Sequence, residues 1–143
     1  LSVIRQIIEA GIPVMGHLGL LPQTNKGKFK SKGGTDKEKK QLIKDSILLQ
    51  NSGVFAIVLE CIKMNTAKEI TNKLTIPTIG IGASKYCDGQ VLVIDDIINV
   101  DPSNYKPKFI KTYTNIEVNI INAVKNFTKD VKSKKFPSKK YSY

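Results

Sequence analysis

Six consecutive apolar residues, Val54 to Leu59, run without a break and end on a carboxylate, Glu60. A strand with one face in water alternates apolar and polar residues. An unbroken run of β-branched and other apolar side chains therefore predicts a strand covered on both faces. Such strands belong to parallel sheets, in which helices make the crossovers. Three further short apolar segments fit the same scheme. Ile12 to Leu18 is introduced by Gly11 and Pro13 and runs past Gly16-His17; Pro77 to Ile81 leads into Gly80-Ile81-Gly82-Ala83; Val91 to Ile94 runs into Asp95-Asp96. The expectation is an α/β fold with about four parallel strands and flanking helices.

The intervening segments have helical patterning. The opening LSVIRQIIEA is amphipathic, with Arg5 and Glu9 inside it, and a chain that starts within a helix points to a missing N-terminus. A Gly/Lys-rich loop, Gln23 to Gly34, precedes Thr35-Asp36-Lys37-Glu38, which has the form of a capping box. The helix it opens sets Leu42, Ile43, Ser46, Ile47 and Leu49 largely on one side and stops near Gly53. Thr66 with Glu69 makes a second potential box. Thr114 with Glu117 caps a long helix striped by Ile120, Val124, Phe127 and Val131. Only nine residues separate Ile81 from Val91, too few for a full crossover helix, so a single helical turn around residues 86–90 is expected there.

The net charge of +11 raises the question of nucleic-acid binding. Residues 26–44 hold eight lysines and residues 125–143 hold seven, so the excess sits in one loop-plus-helix segment and one tail. Lysine, isoleucine and asparagine dominate together, the bias of an AT-rich genome, and arginine occurs once, at Arg5. Arginine is the favoured base-reading and phosphate-fork residue, so no nucleic-acid partner is expected. No apolar run approaches the ~18 residues of a membrane span, and no signal peptide is recognisable. Cys61 and Cys87 form no C-x-x-C pair and are expected to be reduced. With one histidine, His17, a multi-histidine metal site is out of reach.

Ligands of parallel α/β folds gather at the C-terminal ends of the strands. Those ends hold His17, Glu60, the turn 80–83 and Asp95. A carboxylate directly after six apolar residues is poorly solvated and suits a general base. The alternative is a glutamate turned to solvent or paired with a lysine. His17 could hydrogen-bond a ligand or serve as a satisfied structural residue. Gly80 and Gly82 lack the full G-x-G-x-x-G spacing and suit close packing at the strand exit better than a phosphate. Asp88-Gly89 is most simply a turn or local cap, and Asp95-Asp96 a solvated strand exit.

The segments GIPVMGHLGLLPQ at 11–23, AIVLEC at 56–61, IPTIGIGAS at 76–84 and CDGQVLV at 87–93 closely resemble, in order and spacing, those of ketopantoate hydroxymethyltransferases. PKFIKTY at 107–113 and the closing FPSKKYS are also similar to that family's C-terminal segments. The resemblance covers essentially the whole chain. It implies a (β/α)8 TIM-type barrel of which residues 1–143 are the C-terminal part, with the N-terminal strands absent. It implies transfer of a hydroxymethyl group from 5,10-methylenetetrahydrofolate to 3-methyl-2-oxobutanoate, giving 2-dehydropantoate for pantothenate and coenzyme A synthesis. Glu60, at the family's V-L-E-C position, is implied as proton acceptor, and His17 as a residue of the substrate pocket. Mg2+ is the implied cofactor, its ligands expected on the absent strands and none in this chain, so the isolated chain is expected to be inactive. The family is cytoplasmic and homo-oligomeric and acts on a small keto acid and folate. Leu21, Ser84, Tyr141 and the segment Lys30-Ser31-Lys32-Gly33 depart from the family pattern. The alternative is a stand-alone small α/β binding protein without catalysis.

Overall fold

A computed structural model describes residues 1–21, 30–100 and 106–143. The predicted loop at 23–34 falls mostly outside the described residues. The chain forms two units, Leu1–Leu92 with Pro107–Phe109, and Val93–Lys106 with Ile110–Tyr143.

The first unit holds α1 (Ser2–Glu9), β1 (Met15–Gly19), α2 (Asp36–Asn51), β2 (Ala56–Glu60), α3 (Met64–Lys73), β3 (Thr78–Ile81) and β4 (Gly89–Gln90). The four strands form one all-parallel sheet in the order β1-β2-β3-β4. The predicted parallel α/β architecture is present, with its helices flanking the sheet. No helix among the described residues is long and apolar enough to cross a membrane.

Successive strand residues point to opposite faces, and the register sorts them. Leu18, Ile57 and Leu59 join a core with Leu42, Ile43 and Leu49 of α2 and Ala67 and Ile70 of α3. Ile57, Leu59 and Ile70 are completely buried. At about 25 cal/mol per Å2 of apolar area removed from water, a side chain buried this fully contributes on the order of 2 kcal/mol. Gly16 lets α2 close on the sheet, because a Cβ there would lie 3.2 Å from Leu49 Cδ1 and 3.3 Å from Ile57. The opposite face carries Met15, His17, Val58, Glu60, Ile79 and Ile81, all of them partly exposed or, at Met15, exposed. One face of a parallel sheet is thus packed and the other half-open.

Local signals in the sequence succeed where the side chain is free to act locally. Thr35 caps α2, its Oγ1 accepting from Glu38 N at 3.2 Å. The glutamate of this box reaches back one residue further than expected, to Gly34 N at 3.1 Å. Ser46 is buried at the α2 contact and donates to Ile43 O at 2.8 Å. Ile47, expected on the same face, is exposed because it lies a further 100° round the helix. At the other end of α2, Gln50 Oε1 accepts from Thr75 N at 2.7 Å and ties the helix to the entry of β3.

Several expectations are corrected. Thr66 does not cap α3, which begins at Met64 after Lys63; its hydroxyl donates instead to Gly33 O at 2.9 Å, and Glu69 pairs with Lys39 of α2 at 2.6 Å. That pairing holds the Glu69 carboxyl below its ordinary range, chiefly through the hydrogen bond from Lys39. The fourth strand is Gly89–Gln90 rather than Val91 to Ile94, and Ile94 opens a helix. The segment 86–90 makes no helical turn, because Asp88 is held back against β3. Its Oδ2 accepts from Thr78 N at 2.8 Å and Thr78 Oγ1 at 3.0 Å, and its own N–H donates to Thr78 Oγ1 at 3.3 Å. Asp88 thus anchors to Thr78, ten residues earlier in the chain, where the sequence suggested a turn or local cap.

The second unit holds α4 (Ile94–Ile98) and α5 (Ile116–Lys132), followed by a 3-10 turn at Lys139–Tyr141. Asp95 and Asp96 lie in the first turn of α4, where carboxylates favour a helix start, and not at a strand exit. Asn115, not Thr114, caps α5, accepting from Val118 N at 3.4 Å. The apolar stripe of α5 is present but no residue of the helix is buried.

The Thr78 hydroxyl, completely buried, joins β3 to α3 through Thr71 Oγ1 at 2.9 Å and to Asp88. Thr78→Val keeps the shape but strips the network of its central hydroxyl. Urea denaturation is expected to show a loss of about 1 kcal/mol, the net worth of the hydrogen bonds that the buried hydroxyl makes to half-buried Thr71 and exposed Asp88. A change below about 0.5 kcal/mol would show that the network does not hold β3.

Candidate active site

His17 lies in β1 opposite Val58, and Glu60 ends β2 opposite Gly19. The two side chains therefore project from the same half-open face, diagonally across neighbouring strands, and His17 Nε2 stands 3.0 Å from Glu60 Oε2. Their side chains are 32% and 15% exposed, so both are shielded without being sealed from a ligand. An ionised carboxylate has no hydrogen to give, so Nε2 is the donor whenever Glu60 is charged. Among the described residues Glu60 pairs with His17 and not with a lysine.

The backbone around Glu60 is held from three sides. Glu60 O accepts from Leu20 N at 2.9 Å, Cys61 N donates to Ile81 O at 2.9 Å, and Cys61 O accepts from Lys32 N at 2.8 Å. Lys63 N then donates back to Lys32 O at 2.9 Å, so residues 32–33 clasp the exit of β2. Two residues pass through left-handed backbone to make this possible. Gly19 has φ +109, and a Cβ there would lie 2.0 Å from Glu60 O. Cys61 has φ +51 although it carries a side chain, a conformation that costs about 1–3 kcal/mol and turns the chain directly after the carboxylate. Burial, and then the charge of Glu60, push the Cys61 thiol above its ordinary pKa. Cys61 and Cys87 are both buried and unpaired with each other.

The glycine turn is filled by the protein itself. A Cβ at Gly80 would meet Gln90 Oε1 at 2.9 Å and Cys87 Sγ at 3.1 Å, and one at Gly82, with φ +61, would meet Phe109 at 2.7 Å. Packing, not phosphate binding, is what these glycines serve. Among the described residues no group of three or more His, Cys, Asp or Glu side chains could hold a metal ion. His17 and Glu60 alone do not make the oxygen-rich shell that magnesium requires. What sequence reasoning missed is Gly19, whose signal was its place: a glycine at the end of β1, beside the carboxylate of β2.

Neighbouring parallel strands thus bring a histidine and a carboxylate together on one face of an α/β sheet, the class of fold whose ligands gather at the C-terminal ends of the strands. The chain belongs to the ketopantoate hydroxymethyltransferase family, whose profile matches residues 1–139. It is 52% identical over its whole length to the 3-methyl-2-oxobutanoate hydroxymethyltransferase of Pelagibacter ubique, of which it covers 54%. It is 49% identical, over 99% of its length, to the same-named protein of Thermosipho melanesiensis, again covering 54% of it. A Clostridium botulinum protein of that name is 47% identical over 98% of the chain and 51% covered. The chain spans about half the length of these curated relatives.

Gly19→Ala forces the new methyl into Glu60 O and puts a side chain at a φ that L-residues avoid. The expected loss is at least about 2 kcal/mol in chemical denaturation, with Glu60 displaced. Cys61 offers a gentler probe of the same charge. In Glu60→Gln the negative neighbour is gone, so its thiolate forms more readily and alkylation by iodoacetamide at pH 8 should run faster than in the parent. Equal rates would mean that the carboxylate does not act on Cys61.

Proposed function

We propose that this chain forms the C-terminal half of a (β/α)8 barrel that adds a hydroxymethyl group from 5,10-methylenetetrahydrofolate to 3-methyl-2-oxobutanoate, yielding 2-dehydropantoate. The observation that carries this reading is Glu60, a shielded carboxylate at the C-terminal end of a central parallel strand, in a chain about half identical to hydroxymethyltransferases. The half-open apolar face supports the barrel. Parallel sheets are found covered on both faces, and further strands closing the sheet would cover Met15, Val58, Ile79 and Ile81.

Glu60 acts as the proton acceptor. The hydrogen on C3 of the keto acid lies beside a carbonyl and is weakly acidic. As that C–H bond breaks, its electron pair passes into the enolate and the proton goes to the Glu60 carboxylate. The enolate carbon then forms the new C–C bond to the methylene carbon, whose two C–N bonds to the folate break; water supplies the hydroxyl oxygen, and the C3 proton and one water proton end on the nitrogens of the departing tetrahydrofolate. His17, beside Glu60 on the same face, lines the keto-acid pocket. The described residues do not fit the Mg2+ of the family, and its ligands are proposed to belong to the part of the relatives that this chain does not span. The same reading takes the complete enzyme for a cytoplasmic homo-oligomer in pantothenate synthesis, and residues 1–143 alone for an inactive part of it.

The test is Glu60→Gln in a protein of the relatives' full length. Gln keeps the shape and removes the base, so exchange of the C3 proton with solvent, followed by NMR in deuterated water, should fall by roughly 10²-fold. Keto-acid affinity should change little. Undiminished exchange would remove Glu60 from the reaction.

A further inference from the structure

We infer that His17 is a positioning residue for the base and not mainly a substrate contact: its Nε2–H fixes Glu60 Oε2 and leaves Oε1 as the oxygen that takes the proton. The inference rests on the proposed role of Glu60 and goes one step further, to what orients it.

The geometry supplies three parts of the argument. First, the 3.0 Å contact between His17 Nε2 and Glu60 Oε2 is the one hydrogen bond of the Glu60 carboxylate among the described residues. A glutamate side chain has three rotatable bonds, and on a half-open face no other hydrogen bond among the described residues selects one rotamer. Second, both partners stand on neighbouring, hydrogen-bonded strands of fixed register, so the separation of their backbones is not adjustable. The backbone of Glu60 is further clamped at Leu20 and that of Cys61 at Ile81 and Lys32, which leaves the carboxylate's rotation as the remaining freedom. Third, the bond has one direction while Glu60 is charged. The carboxylate only accepts, so the imidazole donates from Nε2. A base that must meet a C–H bond along one line gains most from such restraint, since a misplacement of about 1 Å costs on the order of 10²-fold.

In the step itself, the C3–H electron pair passes to the enolate and the proton to Oε1. His17 keeps its own proton throughout and undergoes no net change. This separates it from a relay, and from a residue that grips the substrate.

The experiment compares His17→Phe with His17→Gln in the full-length context, reading C3 exchange at saturating keto acid and keto-acid affinity by calorimetry. Phe keeps a ring of similar size and has no donor; Gln can present its Nε2 amide near the position of the imidazole N–H. His17→Phe is expected to slow exchange by about 10-fold or more with affinity changed by less than about 3-fold, and His17→Gln to recover most of the rate. In a Glu60→Gln background, His17→Phe should cause no further loss, because the group it positions is gone. Exchange unchanged in His17→Phe while Glu60→Gln abolishes it would overturn this inference and leave the base in place. Weakened keto-acid affinity in both His17 variants would overturn it in favour of a substrate contact. A further loss in the double variant would do the same, since His17 would then act apart from Glu60. Undiminished exchange in Glu60→Gln alone would sink the assignment of the base and this inference with it.

Discussion

Hydrogen bonding of β2 on both of its edges, to β1 and to β3, is the constraint on which the rest of the first unit depends. A strand paired on both sides cannot slide, and a slip by one residue would exchange its two faces. Ile57 and Leu59 are thereby committed to the helices, where they are completely buried, and Val58 and Glu60 to the other face. Packing of the core and presentation of the carboxylate are thus one choice of register. The apolar contacts of α2 and α3 that stabilise the sheet also hold Glu60 where it stands.

The cost of that placement is visible in the backbone immediately beyond it. Cys61 adopts a left-handed conformation, and Gly19 passes so close to Glu60 O that no side chain fits. Strain of this kind persists only where surrounding bonds over-determine it. Here they are the backbone pairs of Leu20 with Glu60, Cys61 with Ile81 and Lys32 with Cys61. The thiol of Cys61 registers the same environment, pushed up by burial and by the neighbouring charge. The proton-acceptor role proposed for Glu60 calls for a carboxylate that is shielded, oriented and still reachable.

Most of the elements were legible because their signals are local. The unbroken apolar run before Glu60, the Thr35 cap and the glycine after α2 each act through their own neighbours. Two of the misreadings share one cause. Thr66 looks like a cap, yet its hydroxyl is drawn to Gly33, a residue 33 positions earlier in the chain. Val91 to Ile94 has the composition of a strand, yet Asp88 anchors to Thr78 and sets the pairing two residues earlier, at Gly89–Gln90. In both places a long-range hydrogen bond outweighs a local preference of a few tenths of a kcal/mol to about 1 kcal/mol.

The sequence by itself determined the parallel α/β class, the strand that carries Glu60 and the family to which its blocks belong, since hydrophobic periodicity and residue order are properties of the chain alone. The tertiary structure decided what Glu60 meets. Its partner lies 43 residues away in sequence and 3.0 Å away in space, and Gly19 matters only because β1 runs beside β2. No pattern along the chain encodes that proximity directly, because it is set by register between strands, and register is fixed by the helices packing on the far face.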